Sequence, residues 1–464
     1  MTFRTKLLFA LLAAAVVHGI YNFLIPLHPD EAYYWLWSVY PDWSYFDHPA
    51  MIAWMIKALS FLGDSEGAVR ATTVLCMSGA CYALSMLSYR IGGERAGWIL
   101  FIAFSVLPAA AMGYAFVTPD SPLMLFWCFA LYWGYLAISG EGNRYFILTG
   151  VAIALMIVSK YTAVLFIGSL FIYMLVFDRK LFKNKYMWLA AIIGACGVIP
   201  IVIWNMQNDW ISIKFQYTHG TSDSFKILWD EWLLLLGGIQ LLPTPIFAFI
   251  MYKASFYFKG YRREQWFKFL LTLFLVPIVF FLYKGLFKKM ELNWPIIGFL
   301  AAFPMMAVYI AAGYHKRLFK AGAIFAGVLT VILLVSPFLP LPDSINISLR
   351  LKGNKEAVEE LKSVMVVDND TKFFSDYLIN ASIMTYYLDG HPRVYVPVGA
   401  RFNQFNLWDN GTDYSTMKGY YMGAWNKGKQ KELLKAFGKI EFIKKFKTGN
   451  PLKPKELHIY RVGE

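Results

Sequence analysis

Acidic residues and histidines lie close together in the segment HPDEAYYWLWSVYPDWSYFDHP, residues 28–49. Asp30 and Glu31 stand near its start, Asp47 and His48 stand near its end, and aromatic residues fill the space between. An aromatic belt at a membrane surface would account for the aromatic residues but not for the adjacent acids. A carboxylate placed within reach of a hydroxyl group can accept its proton, so the segment predicts general-base chemistry.

Three further residues have types and positions that suit chemistry at the same surface. Asp120 stands in a short turn, TPDSPL, where its carboxylate could assist catalysis or cap a helix. Lys160 and Tyr161 interrupt the apolar stretch ALMIVSKYTAVLF. A lysine in such a stretch is costly unless it is paired, so Lys160 predicts either a phosphate contact or an amine that extends to the interface.

A metal site is a weaker prediction. Asp47, His48 and His219 offer oxygen and nitrogen ligands, which suit zinc or manganese, whereas oxygen ligands alone favour magnesium or calcium. Ligands scattered along a sequence are a weak signal, and histidines that only form hydrogen bonds at the surface are the alternative.

The elements that must position these residues are membrane helices. The chain of 464 residues is 58% hydrophobic and 16% charged, which is typical of a polytopic membrane protein. Runs of about 20 apolar residues can cross a bilayer as helices. About eleven such spans are predicted, at 5–27, 68–89, 96–117, 121–139, 144–159, 162–177, 186–204, 229–252, 267–287, 294–314 and 321–342. The first has a basic start but no convincing cleavage site, which predicts a retained span.

Basic residues predict the orientation. Clusters of lysine and arginine at 179–185, 253–268 and 315–320 fall on one side of the membrane when the spans alternate, together with the N-terminus. The positive-inside rule assigns that side to the cytoplasm. The acidic loop at 28–66 then faces outward, into the periplasm of a bacterium. The net charge of +14 fits contact with anionic membrane lipids and requires no nucleic acid.

The tail differs in composition from the rest of the chain. Strand-like runs at 394–397, 441–446 and 457–462 alternate with helical stretches near 376–388 and 428–437 in the tail, residues 344–464. This pattern predicts a small periplasmic α/β domain after a membrane domain at 1–343. The four cysteines lie in apolar spans, and their spacing suits neither a disulfide framework nor a zinc finger.

Several function classes are excluded or disfavoured. The segment GDSEG has the spacing of a hydrolase nucleophile but lacks the strand and helix which that motif requires. The sequence has no HExxH motif and no Walker A loop, and we predict no nucleotide cofactor. A reaction at the outer face depends on substrates carried by lipids, and a sugar linked to a lipid phosphate fits that supply. A transporter or flippase of lipid-linked sugars is the alternative, although its ionisable residues would lie near the midplane.

Six short segments together resemble one family. HPDEAYYWLW, YFDHP, TPDSPL, SKYTAVLF, FQYTHG and LNWP are similar in order and spacing to the bacterial branch of the GT-C glycosyltransferases, which is related to protein O-mannosyltransferases and lipid A aminoarabinose transferase. Segments of the tail, LDGHPRVYVP and RFNQFNLWD, extend the resemblance over essentially the whole chain. Those two kinds of enzyme are longer, so the resemblance does not identify the acceptor.

The resemblance implies an inverting glycosyltransferase of the bacterial inner membrane. Its donor would be a polyprenyl-phosphate-linked sugar, and its acceptor lipid A, lipopolysaccharide core, another glycan or a protein. The implied base is Asp30 with Glu31 beside it, and the second acid is Asp120. The implied contacts to the donor phosphate are Lys160, His48 and Tyr161, and a divalent Mg, Mn or Zn ion would approach Asp47 and His219.

Overall fold

A computed structural model describes residues 1–220, 227–339, 351–397, 401–424, 427–449 and 455–463, without the side chains of residues 219, 220, 259 and 427. The helices of the N-terminal part are α1 Phe3–Leu24, α2 Pro29–Val39, α3 Met51–Ala58, α4 Glu66–Ser105, α5 Pro108–Ala115, α6 Asp120–Ile138, α7 Arg144–Ser159, α8 Val164–Phe177, α9 Lys185–Cys196, α10 Val198–Gln207, α11 Ile211–Gly220, α12 Trp229–Gly238, α13 Pro245–Tyr257, α14 Gln265–Gly285, α15 Ile296–Ala311 and α16 Lys316–Val335. Short 3₁₀ helices lie at Ser60–Leu62, Tyr161–Ala163, Arg179–Lys183, Ile239–Leu241, Lys259–Tyr261, Ser336–Phe338 and Tyr414–Thr416.

The predicted membrane helices are confirmed as helices. Among the described residues, six helices are long and apolar enough to cross a membrane, or seven if the bent pair α12 and α13 is one span. Three shorter apolar helices accompany them, at Arg144–Ser159, Tyr161–Phe177 and Ile296–Ala311. Helix α4 contains the predicted span 68–89 and the first part of the predicted span 96–117, which meet at a kink where Gly93 has a positive φ of 77°. The rest of the second span lies in α5, which begins at Pro108.

One predicted span is not straight. The prediction of a single helix over 229–252 is wrong, because α12 and α13 meet at an angle of 89°. The break falls in the sequence LPTP, where Pro243 and Pro245 cannot donate backbone hydrogen bonds. Thr244 between them has a positive φ of 65°.

The acidic loop is folded rather than extended. It contains α2 and α3, and α2 begins with a complete set of helix-start signals: His28 is the N-cap, Pro29 stands in the first turn, and Glu31 completes a capping box. The Glu31 carboxylate accepts a hydrogen bond from the His28 amide at 2.8 Å.

The C-terminal part is a small α/β domain, as predicted. Its helices are α17 Asn354–Lys362, α18 Leu378–Tyr387, α19 Gln404–Trp408 and α20 Lys427–Phe437, and its strands are β1 Lys372–Ser375, β2 Val394–Tyr395, β3 Gly419–Gly423, β4 Ile440–Thr448 and β5 Lys455–Val462. The strands form one sheet in the order β2-β1-β3-β5-β4, with β1 parallel to β2 and β3 and the other pairs antiparallel. The predicted domain boundary at 343/344 lies outside the described residues.

The acidic loop and the C-terminal domain share one hydrophobic core. Side chains of α2, including Trp35 and Leu36, are buried in the same cluster as Met384 of α18 and Phe405 of α19. A hydrogen bond also links the acidic loop to the C-terminal domain: the side chain of Gln404 accepts from the Phe46 amide at 2.8 Å. The loop that carries the predicted acids is therefore held against the C-terminal domain.

Candidate active site

A cavity of about 500 Å³ lies where the acidic loop, the membrane helices and the C-terminal domain meet. Five of the residues predicted from the sequence line it: Asp30, Asp47, His48, Lys160 and Tyr161. They come from the start of α2, the segment between α2 and α3, and the junction of α7 and α8. The helices thus bring residues that are distant in sequence to one place.

Asp30 lies in the first turn of α2, and its side chain is 43% exposed. Its backbone amide donates to Nδ1 of His28 at 3.2 Å, so the capping residue fixes the turn on which the carboxylate stands. The N-terminus of a helix favours a negative charge through the backbone dipoles. This position places the carboxylate at the cavity wall, where it is accessible to a ligand.

Glu31, its neighbour, has a different environment. It is 1% exposed, does not line the cavity, and receives hydrogen bonds from Arg70 Nε at 2.9 Å and Arg70 Nη2 at 2.6 Å. The amide of Val117 also donates to it, at 2.9 Å. With its oxygens engaged in this way, Glu31 is suited to position the start of α2 rather than to exchange a proton with a substrate.

Asp120 and Lys160 form an ion pair at the cavity. Lys160 Nζ lies 2.7 Å from Asp120 Oδ1, and the lysine side chain is 9% exposed. The interpretation of Asp120 as a helix cap is wrong, since Pro119 is the N-cap of α6 and no side chain caps that terminus. Extension of Lys160 to the interface is also contradicted, because the amine is buried beside a carboxylate.

The Lys160 amine has a second neighbour, the ring of Trp294 at 5.8 Å. Trp294 comes from the LNWP segment before α15, and Asn293 of the same segment lies 3.5 Å from Asp120 Oδ2. The ion pair is therefore held between three parts of the chain.

Asp47 is bound to the C-terminal domain. Its Oδ1 accepts from Arg401 Nη2 at 2.9 Å, and its Oδ2 accepts from the Tyr33 hydroxyl at 2.9 Å. Burial raises the pKa of Asp47, whereas Arg401 and the Tyr33 hydroxyl act in the opposite direction. Burial likewise raises the pKa of Tyr33 and Tyr34 well above the usual value, so both phenols stay protonated and can donate hydrogen bonds.

The metal prediction finds limited support in these contacts. Both oxygens of Asp47 already accept hydrogen bonds, and in the part of the chain that the structure describes no group of three or more His, Cys, Asp or Glu side chains could hold an ion. The side chain of His219, at the end of α11, lies outside the described residues. Because one of the two predicted ligands lies outside the described residues, the metal stays a prediction.

The structure adds cations that the motifs did not indicate. Arg401, from the segment before α19, and Lys284, from the last turn of α14, both line the cavity. The Arg401 guanidinium also lies 5.1 Å from the ring of Phe215 in α11. The segment RFNQFNLWD was recognised as similar to the family, but only the folded chain brings its arginine to Asp47.

A second cavity, of about 400 Å³, lies among α6, α7, α8 and α9. Its described lining is apolar except for Thr149 and contains no ionisable side chain. It lacks groups for acid–base chemistry, in contrast to the cavity at Asp30, which combines carboxylates with cations.

Comparisons with known proteins match this architecture. The family model for dolichyl-phosphate-mannose-protein mannosyltransferase matches residues 47–204. Lipid A galacturonosyltransferase RgtD of Rhizobium johnstonii is 25% identical over 293 residues, which cover 61% of this chain and 60% of that relative. The chain thus spans less than two thirds of the length of this curated relative.

Solved structures match over nearly the whole chain. ArnT from Cupriavidus metallidurans aligns in the apo state with a TM-score of 0.69 and 13% identity, over 99% of this chain and 98% of that one. The same protein bound to undecaprenyl phosphate aligns with a TM-score of 0.70 at 13% identity, over 98% of each chain. Arabinofuranosyltransferase AftD from Mycobacteria aligns with a TM-score of 0.51 and 14% identity, over 98% of this chain and 40% of that one. At these identities the structures show the fold alone.

Proposed function

We propose that this chain, whose motifs and fold are those of the GT-C glycosyltransferases, transfers a sugar from a polyprenyl-phosphate-linked donor to an acceptor of the cell envelope. The proposal rests on one observation: an accessible carboxylate, Asp30, and a buried lysine, Lys160, line the same cavity. A transferase of this kind needs a base for the acceptor and a cation for the departing phosphate.

The chemistry follows from these two groups. The Asp30 carboxylate accepts the proton of the acceptor hydroxyl as its oxygen forms a bond to the anomeric carbon. The bond from that carbon to the phosphate oxygen breaks on the opposite side, so the configuration inverts and the lipid phosphate leaves with the electron pair. Lys160 offsets its charge as a point cation, and His48 and Tyr161 supply further polar contacts from the same cavity wall. Asp120 holds the lysine in place, and no step depends on a metal.

The identity of the substrates is supported by the relatives. The solved ArnT structure with undecaprenyl phosphate supports a lipid-phosphate donor. The name of the curated relative supports lipid A as acceptor, with lipopolysaccharide core or another glycan as related choices. The family model, which is named for a protein mannosyltransferase, supports a protein acceptor as the second candidate.

The decisive experiment uses the purified protein in detergent with a polyprenyl-phosphate sugar and lipid A. Formation of glycosylated lipid A without any membrane gradient supports the transferase. Movement of the donor across vesicle membranes without product formation would favour the transporter instead. Mass spectrometry of envelope glycolipids with and without the gene then identifies the sugar.

Replacing Lys160 by Met is expected to weaken donor binding about tenfold to a hundredfold, because a charge-assisted hydrogen bond to the phosphate is lost. Methionine preserves the apolar stem, and the Asp120 carboxylate that loses its partner is 20% exposed, so the protein should still fold. The measurement is the apparent affinity for the donor in detergent. Lys444→Met is the matched control, since Lys444 pairs with Glu360 on the C-terminal domain and does not line the cavity. Unchanged donor affinity in Lys160→Met would assign the amine to folding alone.

We also propose that the N-terminus is cytoplasmic and the C-terminal domain periplasmic, in the inner membrane of a bacterium. The basic clusters that follow the predicted spans support this orientation. An alkaline phosphatase fused to the C-terminus is expected to be active, and a cytoplasmic reporter at the same position inactive. The reverse pattern would place the cavity at Asp30 in the cytoplasm and contradict the use of donors at the outer face.

A further inference from the structure

A third cavity, of about 300 Å³, lies on the other side of the start of α2. His28 and Pro29, which directly precede Asp30, form one wall. The opposite walls belong to the C-terminal domain and come from α17, α18 and the ends of β4 and β5. Ile379 of α18 lines both this cavity and the one that contains Asp30, so the two spaces share a wall.

The two cavities differ in charge. The cavity at Asp30 contains the carboxylates of Asp30, Asp47 and Glu291 beside its cations. The third cavity is lined by Lys352 and Lys455, and none of its described lining residues is acidic. Burial lowers the pKa of Lys455, whereas the nearby Asp376 carboxylate acts in the opposite direction. The cavity wall thus presents two amines and no carboxylate among its described residues, which favours an anionic ligand.

Polar side chains accompany the two lysines. Asn354, Asn380 and Thr448 also line the cavity. The Asn380 amide donates to Asp376 Oδ1 at 2.8 Å and the Thr448 hydroxyl donates to the Gly353 carbonyl at 2.6 Å, so these side chains fix the wall. Each lysine amine has three N–H donors, which leaves donors for an anion. Lys455 Nζ donates to Asn380 Oδ1 at 2.9 Å, which holds the amine at the cavity wall. Lys352 Nζ donates to the carbonyl of Leu339 at 2.9 Å, at the end of the helical segment that follows α16.

We infer that this cavity binds a phosphate group on the acceptor while the acceptor hydroxyl is at Asp30. The inference rests on the proposed function and narrows its acceptor to a phosphorylated glycolipid. A phosphate on the donor is accounted for by Lys160 in the other cavity, and a second cationic space next to the start of α2 suits a phosphate of the acceptor. Two ammonium groups recognise a phosphate as point charges, without the planar fork that an arginine would offer to a carboxylate.

The test is a binding experiment that does not depend on turnover. Lipid A and chemically dephosphorylated lipid A are titrated into the purified protein in neutral detergent, and affinity is followed by tryptophan fluorescence. The wild-type protein is expected to bind the phosphorylated form at least about tenfold more tightly. Lys455→Met and Lys352→Met should each reduce this preference, while Lys444→Met, a surface lysine outside the cavity, should retain it.

The outcomes separate this inference from the proposed function. Equal affinity for the two forms of lipid A, or a preference retained in both cavity variants, would overturn the phosphate site. Competition by phosphatidylglycerol as strong as that of lipid A would overturn its assignment to the acceptor. A protein that shows the preference but transfers no sugar contradicts the proposed function and not the site. If either Lys455→Met or Lys352→Met fails to fold, the preference for phosphorylated lipid A is judged from the other variant.

Discussion

Replacing Asp30 by Asn is expected to lower turnover about a hundred- to ten-thousandfold, the usual effect of losing a general base. A sugar hydroxyl has a pKa far above neutrality, so some group must accept its proton as the new bond forms. Asn is nearly the same size and keeps the hydrogen-bonding capacity of the side chain, but it cannot take a proton. Because donor binding depends on Lys160 in another part of the cavity, the affinity for the donor should survive.

The measurement compares turnover and donor affinity of purified variants at matched protein levels. Asp64→Asn is the control, since Asp64 belongs to the same loop but does not line the cavity. Near-normal turnover in Asp30→Asn would refute the assignment of the base. Near-normal turnover in Asp120→Asn as well would favour the transporter.

Local sequence patterns were sufficient to predict most of the membrane helices, because long apolar runs favour helices wherever they occur. The helix α2 was missed, although the capping residues of HPDE signal its start within one turn. The position of Asp30 at the outer membrane surface stays a prediction. The break between α12 and α13 was missed although the LPTP sequence carried the signal, because the apolar composition continues through the two prolines.

Contacts between distant segments could not be predicted from such patterns. Nothing in the sequence around Arg401 indicates that its guanidinium lies 2.9 Å from Asp47, since that contact requires the C-terminal domain to pack on the acidic loop. The different environments of Asp30 and Glu31 were likewise hidden, because adjacent residues on a helix point in different directions. The interior strands β1 and β3 were also missed. Both are mostly buried on consecutive positions, so their sequences do not alternate between apolar and polar residues as a half-buried strand does.

The pairing of Glu31 with Arg70 leads to the largest expected effect on stability. Arg70 is 0% exposed, and besides Glu31 it donates to the backbone carbonyls of Asn22, Ile25 and Pro26 at 2.8 to 3.0 Å. It thereby joins the end of α1, the start of α2 and the membrane helix α4. Removing one partner of a buried ion pair leaves an uncompensated charge in a poorly hydrated place.

Arg70→Met is therefore expected to lower the free energy of unfolding by about 3 to 5 kcal/mol. The double variant Arg70→Met, Glu31→Gln should lose less unfolding free energy than the sum of the two single variants. Each single change leaves one buried charge without its partner, and the double variant removes both charges. Arg90→Met is the control on the same helix: its pair with Glu141 is exposed, so the expected loss is about 0 to 1 kcal/mol. The measurement is denaturant unfolding in detergent, followed by fluorescence.

The same variants distinguish a positioning role from a catalytic one. If Glu31 only fixes the first turn of α2, the protein that remains folded in the double variant should retain Asp30 as its base, with an unchanged pH dependence of turnover and a moderate loss of rate from the displaced turn. If Glu31 itself takes the proton, Glu31→Gln should abolish turnover as Asp30→Asn does, even where the folded fraction is high. The four hydrogen bonds from Arg70, Val117 and His28 to its two oxygens lead us to expect the first result, because a carboxylate engaged in this way has little capacity left for a substrate.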